Sequence, residues 1–237
     1  MVISPLPPGG PYGRNKNPAR IVERLGDKDD PRLISLIAIH SHGIPTDFPQ
    51  KVLAEADVLK EPDLSGGRVD LRAVPFVTID GADARDFDDA VFAEPDSDPK
   101  NPDGWHLMVA IADVSFYVRS HGALDKEAYK RGNSTYFADR VVAMWPERLS
   151  NDLCSLRPLV NRAALAVHLY IDKDARLVRY KFVRGLIKSA ARLTYEQVED
   201  AHRGQPDDTT GPLMDAVIKP LYQAYSKLKH AREKRGA

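Results

Sequence analysis

Residues 80–89 carry five aspartates against a single basic residue, Arg85, in a chain where 34 acidic residues among 237 would put one or two in such a window. Like charges this close raise one another's pKa and cannot all ionise without a counter-charge. The flanks narrow the choice of fold. Val74-Pro75-Phe76-Val77-Thr78-Ile79 before the window and Ala90-Val91-Phe92-Ala93 after it are apolar and rich in strand formers, which predicts two strands entering a core. The carboxylates are therefore expected on the rim of a buried sheet. In that geometry Asp80 and Asp89 meet at the neck of a hairpin, and Asp86 and Asp88 point inward from its arc.

Hard divalent cations resolve such a concentration of charge. Mg²⁺ binds a few carboxylates and keeps waters or phosphate oxygens as its other ligands. Two ions about 4 Å apart would activate a water and steady the leaving oxygen of a phosphodiester. A plain acidic turn mixes its charges with Lys, Ser and Gly, whereas this one interleaves them with Ala and Phe87. An EF-hand needs Gly at its sixth position; counting from Asp80 or Asp86 gives Arg85 or Val91, which excludes that type of calcium site.

The pattern Asp80, five residues, Asp86, one residue, Asp88-Asp89 resembles the signature of the ribonuclease II and ribonuclease R family, the RNB-type exoribonucleases. Further blocks resemble the same family in the same order. They are Ile111-Ala112-Asp113-Val114-Ser115-Phe116-Tyr117-Val118, Arg131-Gly132-Asn133-Ser134-Thr135-Tyr136-Phe137, and Met144-Trp145-Pro146-Glu147-Arg148-Leu149-Ser150-Asn151-Asp152-Leu153-Cys154-Ser155-Leu156. The resemblance spans residues 10–237, and His40-Ser41-His42-Gly43-Ile44-Pro45 is most similar to the ribonuclease R branch.

This resemblance implies an α+β fold. Residues 61–237 would be the N-terminal part of an RNB catalytic domain, a mixed sheet with flanking helices, and residues 1–60 a linker with the remnant of a cold-shock-type OB barrel. It implies processive 3′-to-5′ hydrolysis of single-stranded RNA to nucleoside 5′-monophosphates by a cytoplasmic monomer. Asp80, Asp86, Asp88 and Asp89 would be the catalytic ligands of one or two Mg²⁺ ions, with Mn²⁺ as a substitute, and Tyr136 would stack on the nucleotide at the scissile end. Catalytic domains of the family continue past the matched part and add an arginine, a glutamate, a second stacking aromatic and an S1 RNA-binding domain. Without them the chain is expected to be weakly active or inactive. Two readings from other classes are a non-catalytic RNA-binding module and a metal-dependent phosphohydrolase of small nucleotides, which needs a closed pocket.

Composition sets outer bounds. At 237 residues and 43% hydrophobic content the chain can bury one sizeable core. A net charge of zero gives no separate support for nucleic-acid binding. One cysteine and no apolar run near 18 residues point to a reducing compartment and no membrane span, and residues 1–10 do not read as a signal peptide.

Along the chain, the Pro- and Gly-dense residues 1–17 read as a loop. Residues 19–26 alternate like a strand, residues 27–32 turn, and the apolar residues 33–39 read as a second strand. His40 and His42 would face one way on that strand at metal-ligand spacing, but no Cys or carboxylate adjoins them, and a polar strand end is the preferred account. Thr46 or Asp47 is expected to cap a helix over 48–58, with loops at 62–67 and 96–104. The nearly unbroken apolar run 105–112 predicts a central strand, and Asp113 at its end either joins the acidic bend or caps the next turn.

A helix over 124–131, stopped by Gly132, would deliver Tyr136, and Cys154 reads as packing. Residues 162–171 and 176–187 form a hairpin pattern, with Val178, Tyr180 and Phe182 on one side. Arg179 and Lys181 on the other side meet phosphates or form a solvated basic face. Thr194-Tyr195-Glu196-Gln197 is a capping box opening a helix to about His202. Leu213, Val217, Leu221, Tyr225 and Leu228 predict a helix over 212–235, kinked at Pro220.

Overall fold

The computed structural model describes residues 2–5, 19–27 and 29–236. In chain order these form β1 (Val2–Pro5), β2 (Ala19–Glu23), α1 (Leu33–Ser41), α2 (Gln50–Asp57), β3 (Val69–Asp70), β4 (Val77–Asp80), β5 (Asp89–Pro95) and β6 (Trp105–Ala112). There follow α3 (Val114–Tyr117), α4 (Ala123–Arg131), β7 (Thr135–Tyr136), β8 (Val141–Val142), β9 (Asn161–Ile171), β10 (Leu177–Lys188), β11 (Ala191–Thr194), α5 (Tyr195–His202) and α6 (Lys219–Lys234). A π-helical turn covers Arg148–Leu153.

Seven strands make one mixed sheet in the order β11-β4-β5-β6-β9-β10-β3. Only the flanks are parallel, β11 with β4 and β10 with β3; the four inner pairings are antiparallel. The run 105–112 is the middle strand, as its lack of alternation predicts. The architecture is α+β with a mixed sheet, as expected.

Alternation along each strand sorts residues onto two faces. On one, Ala90, Phe92, Met108, Ala110, Ala112, Ala164 and Ala166 pack with Val52 and Ala56 of α2, Leu124 of α4, and Leu149 and Leu153 of the π turn. Four of these sheet positions on β6 and β9 are alanines, which lets the helices approach closely. On the other face, α5 and the segment 214–218 cover the β11-β4-β5 side through Val77, Leu193, Val198, Val217 and Ile218, while Ala224 of α6 packs with Ala93, Trp105 and Ile171 at the end of β5, β6 and β9 away from Asp89. Beyond that cover Ile111, Leu165, Tyr180 and Phe182 stand 47%, 44%, 62% and 62% exposed. The side of β10 that carries Tyr180 and Phe182 is therefore open.

Several local expectations are corrected. Residues 33–39 lie in helix α1, not a strand. Asp30-Pro31 starts it: the Asp30 side chain accepts from Arg32 N at 2.9 Å, its carbonyl accepts from Leu33 N at 2.9 Å, and proline suits a first turn. His40 therefore sits in a last helical turn with His42 just beyond, so the pair does not share a strand face. Of the stretch read as a loop, Val2–Pro5 is a strand paired antiparallel with β2, and residues 6–17 lie outside the described residues.

Helix α2 begins at Gln50 with Pro49 as its N-cap residue, and neither Thr46 nor Asp47 caps it. Pro220 falls in the first turn of α6, where its missing N–H is not needed. Residues 214–218 just before it wind as a π helix, and the helical run continues from them into α6. The capping box of α5 is complete, with Gln197 N donating to Thr194 Oγ1 at 3.1 Å and Thr194 N to Gln197 Oε1 at 3.0 Å. Helix α4 ends at Gly132 in the left-handed region, φ 81°, as expected.

Candidate active site

The acidic loop joins β4 to β5. The β4–β5 ladder pairs only Val77 with Val91; on its other side β4 pairs with β11 along its whole length, with Asp80 opposite Thr194, while Asp89 pairs with Ile111 of β6. Asp80 and Asp89 are thus not a ladder pair, although the charge of Asp89 acts on Asp80.

The loop is fastened from two sides. Arg192 of β11 donates to the carbonyls of Gly81 and Ala82 at 2.8 and 2.9 Å, with its guanidinium 5.4 Å from the Phe87 ring centre. On the far side Ser155 Oγ accepts from Phe87 N at 3.1 Å and donates to Arg85 O at 3.2 Å, and Leu156 N donates to Phe87 O at 2.7 Å. Sequence reasoning quoted Ser155 within a motif block without a role and missed Arg192. The one available signal for Arg192 was a basic residue inside an otherwise apolar strand.

The four aspartates share one electrostatic field. Burial, then the charge of Asp89, pushes Asp80 up, against the pull of Arg192. Asp88 opens to solvent on one side, yet burial, followed by the charges of Asp86, Asp89 and Asp80, pushes it up to about 6. Asp80 Oδ2 is buried without a hydrogen-bond partner. Hard oxygen donors, an orphaned carboxylate oxygen and mutual repulsion fit a hard cation. As the loop stands, no three His, Cys, Asp or Glu side chains among the described residues are gathered into a ligand cluster.

Tyr136 reaches the same place from the other end of the molecule. Arg131, its side chain 3% exposed, ties the end of α4 down by donating to Pro45 O at 2.7 Å and Asp47 O at 2.6 Å, pairing with Glu127 and lying over Phe48. Gly132 then reverses the chain into β7, and the Tyr136 hydroxyl donates to Asp86 Oδ2 at 2.7 Å. That hydrogen bond, chiefly, pushes the phenol up to about 12. The ring itself is 63% exposed beside the loop.

Other sequence-selected residues lie elsewhere. Asp113 pairs with Arg68 at 2.7 Å and accepts from Ser115 Oγ at 2.6 Å; it makes no side-chain cap to α3. Arg179 stacks on Tyr170 at 3.5 Å and lies 3.7 Å from Asp96. Through the register Arg179–Tyr170–His106–Glu94 it stands at the end of the sheet away from Asp89, and exposed Lys181 is two residues nearer. Arg184 is the β10 cation in the transverse row with Leu165, Ile111 and Asp89. Cys154 is buried, and burial pushes its thiol up to about 12, an inert packing position.

Beside Asp89 a groove of about 790 Å³ is lined by Ile79, Val91, Tyr195, Tyr222 and Tyr225. Tyr195 and Tyr225 are 62% and 55% exposed, so the groove is open, unlike the closed pocket that a small-nucleotide hydrolase calls for.

The model of the RNB domain matches residues 68–237. The chain belongs to the RNB-domain family. A cold shock domain model matches residues 9–49, which include β2 and α1. Among curated relatives, ribonuclease R of Vibrio parahaemolyticus is 46% identical over 92% of this chain and 26% of its own length. Ribonuclease R of Acidithiobacillus ferrooxidans is 44% identical over 95% of this chain and 51% of its own. The RNB chain thus spans about a quarter to a half of the length of these relatives. RNase R of Mycoplasma genitalium, solved in complex with ribose methylated single-stranded RNA, superposes with a TM-score of 0.80 at 28% identity, over 92% of this chain and 34% of that one. No described helix is long and apolar enough to cross a membrane.

Proposed function

We propose that this chain carries the carboxylate part of a 3′-to-5′ exoribonuclease site that hydrolyses single-stranded RNA processively to nucleoside 5′-monophosphates. The observation that carries the reading is the common field of Asp80, Asp86, Asp88 and Asp89 around the partnerless Asp80 oxygen, in a chain that belongs to the RNB family. The four would hold one or two Mg²⁺ ions, with Mn²⁺ as a substitute. When bound, such ions stabilise charge on the scissile phosphate and make water a better nucleophile.

The chain's own groups divide the remaining work. Without a cation Asp88 is held up near 6 by burial and the neighbouring carboxylates, so metal binding there would release its proton. Tyr136 orients Asp86 through its hydroxyl and offers its exposed ring to a base, a contact that needs no particular sequence. The reading includes a cytoplasmic monomer.

Incubation with short 3′-accessible RNA should give weak release of mononucleotides that requires Mg²⁺, and calorimetry should detect Mn²⁺ binding. Absence of binding at millimolar Mn²⁺, or RNA shortening that EDTA leaves untouched, overturns the reading. Tyr136→Ala should weaken binding of single-stranded RNA at low salt by roughly 5- to 100-fold, the worth of one stacked base. Tyr136→Phe keeps the ring and should stay within about threefold of the parent by fluorescence anisotropy. Equal losses in the two variants would assign the contact to the hydroxyl instead.

A further inference from the structure

The loop between β4 and β5 has almost no ladder of its own, so its shape must come from outside it. Phe87 stands between Asp86 and Asp88. Its N–H donates to Ser155 Oγ and its carbonyl accepts from Leu156 N, while the same Ser155 hydroxyl donates to the carbonyl of Arg85. The spacing of Asp86 and Asp88 is thus set by two fully buried residues, Ser155 and Leu156.

These two lie in a turn that joins no strand, and Arg162 of β9 fixes it. Arg162 Nε donates to Asp152 O at 3.1 Å and Ser155 O at 3.0 Å, Nη2 to Asp152 Oδ1 at 2.8 Å, and Nη1 to Asn161 O at 2.9 Å. The residue is 1% exposed. Burying a guanidinium is costly, and an apolar side chain of similar volume would serve the core at least as well. What the fork adds is several hydrogen bonds of fixed direction to one turn, which a lysine cannot copy.

We propose that Ser155 and Arg162 are positioning residues for the carboxylate site, acting through the backbone at Arg85 and Phe87; the functional part of this assignment rests on the exoribonuclease reading above. Arg162 orders the turn, and the turn sets how far apart Asp86 and Asp88 stand.

The test uses the whole chain with Mn²⁺ as probe. Ser155→Ala removes one oxygen and should leave the fold intact, with Tm lower by a few degrees. Amide exchange at Phe87 and Leu156 should quicken at least tenfold, Mn²⁺ affinity should fall about tenfold, and the electron paramagnetic resonance spectrum of bound Mn²⁺ should broaden as its ligand geometry relaxes. Arg162→Lys should reproduce these changes; if it fails to fold, Ser155→Ala alone decides. Unchanged exchange at Phe87 in a folded Ser155→Ala chain overturns the proposal, as does an unchanged Mn²⁺ spectrum and affinity. Should the parent chain bind no Mn²⁺, the exoribonuclease reading falls, and positioning is then judged by the exchange of Phe87 alone.

Discussion

Asp88→Asn is expected to make the metal-free protein more stable at pH 7 while lowering its affinity for Mn²⁺ by at least about tenfold, the cost of one charged ligand. The stability half follows from the sign of the shift. Asp88 is pushed from 3.8 up to about 6, so the folded chain binds its proton more tightly than the unfolded chain does. Below 3.8 both states are protonated and Asp88 contributes nothing. Between 3.8 and 6 the folded state binds more protons, and stability falls as pH rises. Above 6 the full penalty is in place. Because the side chain opens to solvent on one side, the penalty is screened to about 1 kcal/mol, or a few degrees in Tm for a chain of this size. A thermal melt series from pH 4 to 8 in EDTA should show the parent losing stability through that window and Asp88→Asn nearly flat. In saturating Mn²⁺ the order should invert, since the bound cation turns mutual repulsion into shared attraction. A variant that is less stable than the parent at pH 7 without metal would contradict the shared field.

The parts of the molecule legible in the sequence are those whose pattern reports one dominant force. The run 105–112 had to be a central strand because both of its faces are apolar, and the capping box at Thr194 declared α5 through two specific hydrogen bonds. The acidic loop announced itself by charge density alone. What failed was local geometry decided by tertiary partners. The apolar residues 33–39 fit strand or helix equally, and the deciding signal was the upstream Asp30-Pro31. The expected hairpin neck assumed a ladder running up to the loop, whereas β4 pairs with β5 only at Val77–Val91 and has β11, a strand more than a hundred residues later, as its other neighbour. Ser155 and Arg192 hold the loop by its backbone, and Arg162 holds the turn that carries Ser155, contacts that a residue pattern does not spell out. Arg179 and Lys181 were placed on the correct strand, but only the register showed them at its distant end.

Asp113→Ala is expected to destabilise the chain by about 3–5 kcal/mol, the largest single effect foreseen here, because it strands a buried charge. The Arg68 and Asp113 side chains are 4% and 5% exposed and pair at 2.7 Å. Arg68 also lies 4.5 Å from the Phe116 ring centre and donates to Gly185 O at 3.2 Å. Remove the carboxylate, and the guanidinium keeps one neutral acceptor. Burial by itself would raise the pKa of Asp113, but hydrogen bonds from Ser115 and Arg68 and the charge of Arg68 outweigh it and hold the group below the usual carboxylate range. Its stabilising contribution is therefore complete above the ordinary 3.8 and lost as pH falls through the lower folded value, opposite in sign to the effect of Asp88. Chemical denaturation of Asp113→Ala, and of the double variant Arg68→Met with Asp113→Leu, separates the roles open to this residue. An ion pair that only joins β6 to the segment before β3 can be replaced by apolar side chains at little cost, so the double variant should recover most of the lost stability and bind Mn²⁺ like the parent. If it regains stability but loses Mn²⁺, Asp113 belongs with the four aspartates after all, and its bond to Arg68 is then one state of a residue that serves the metal site.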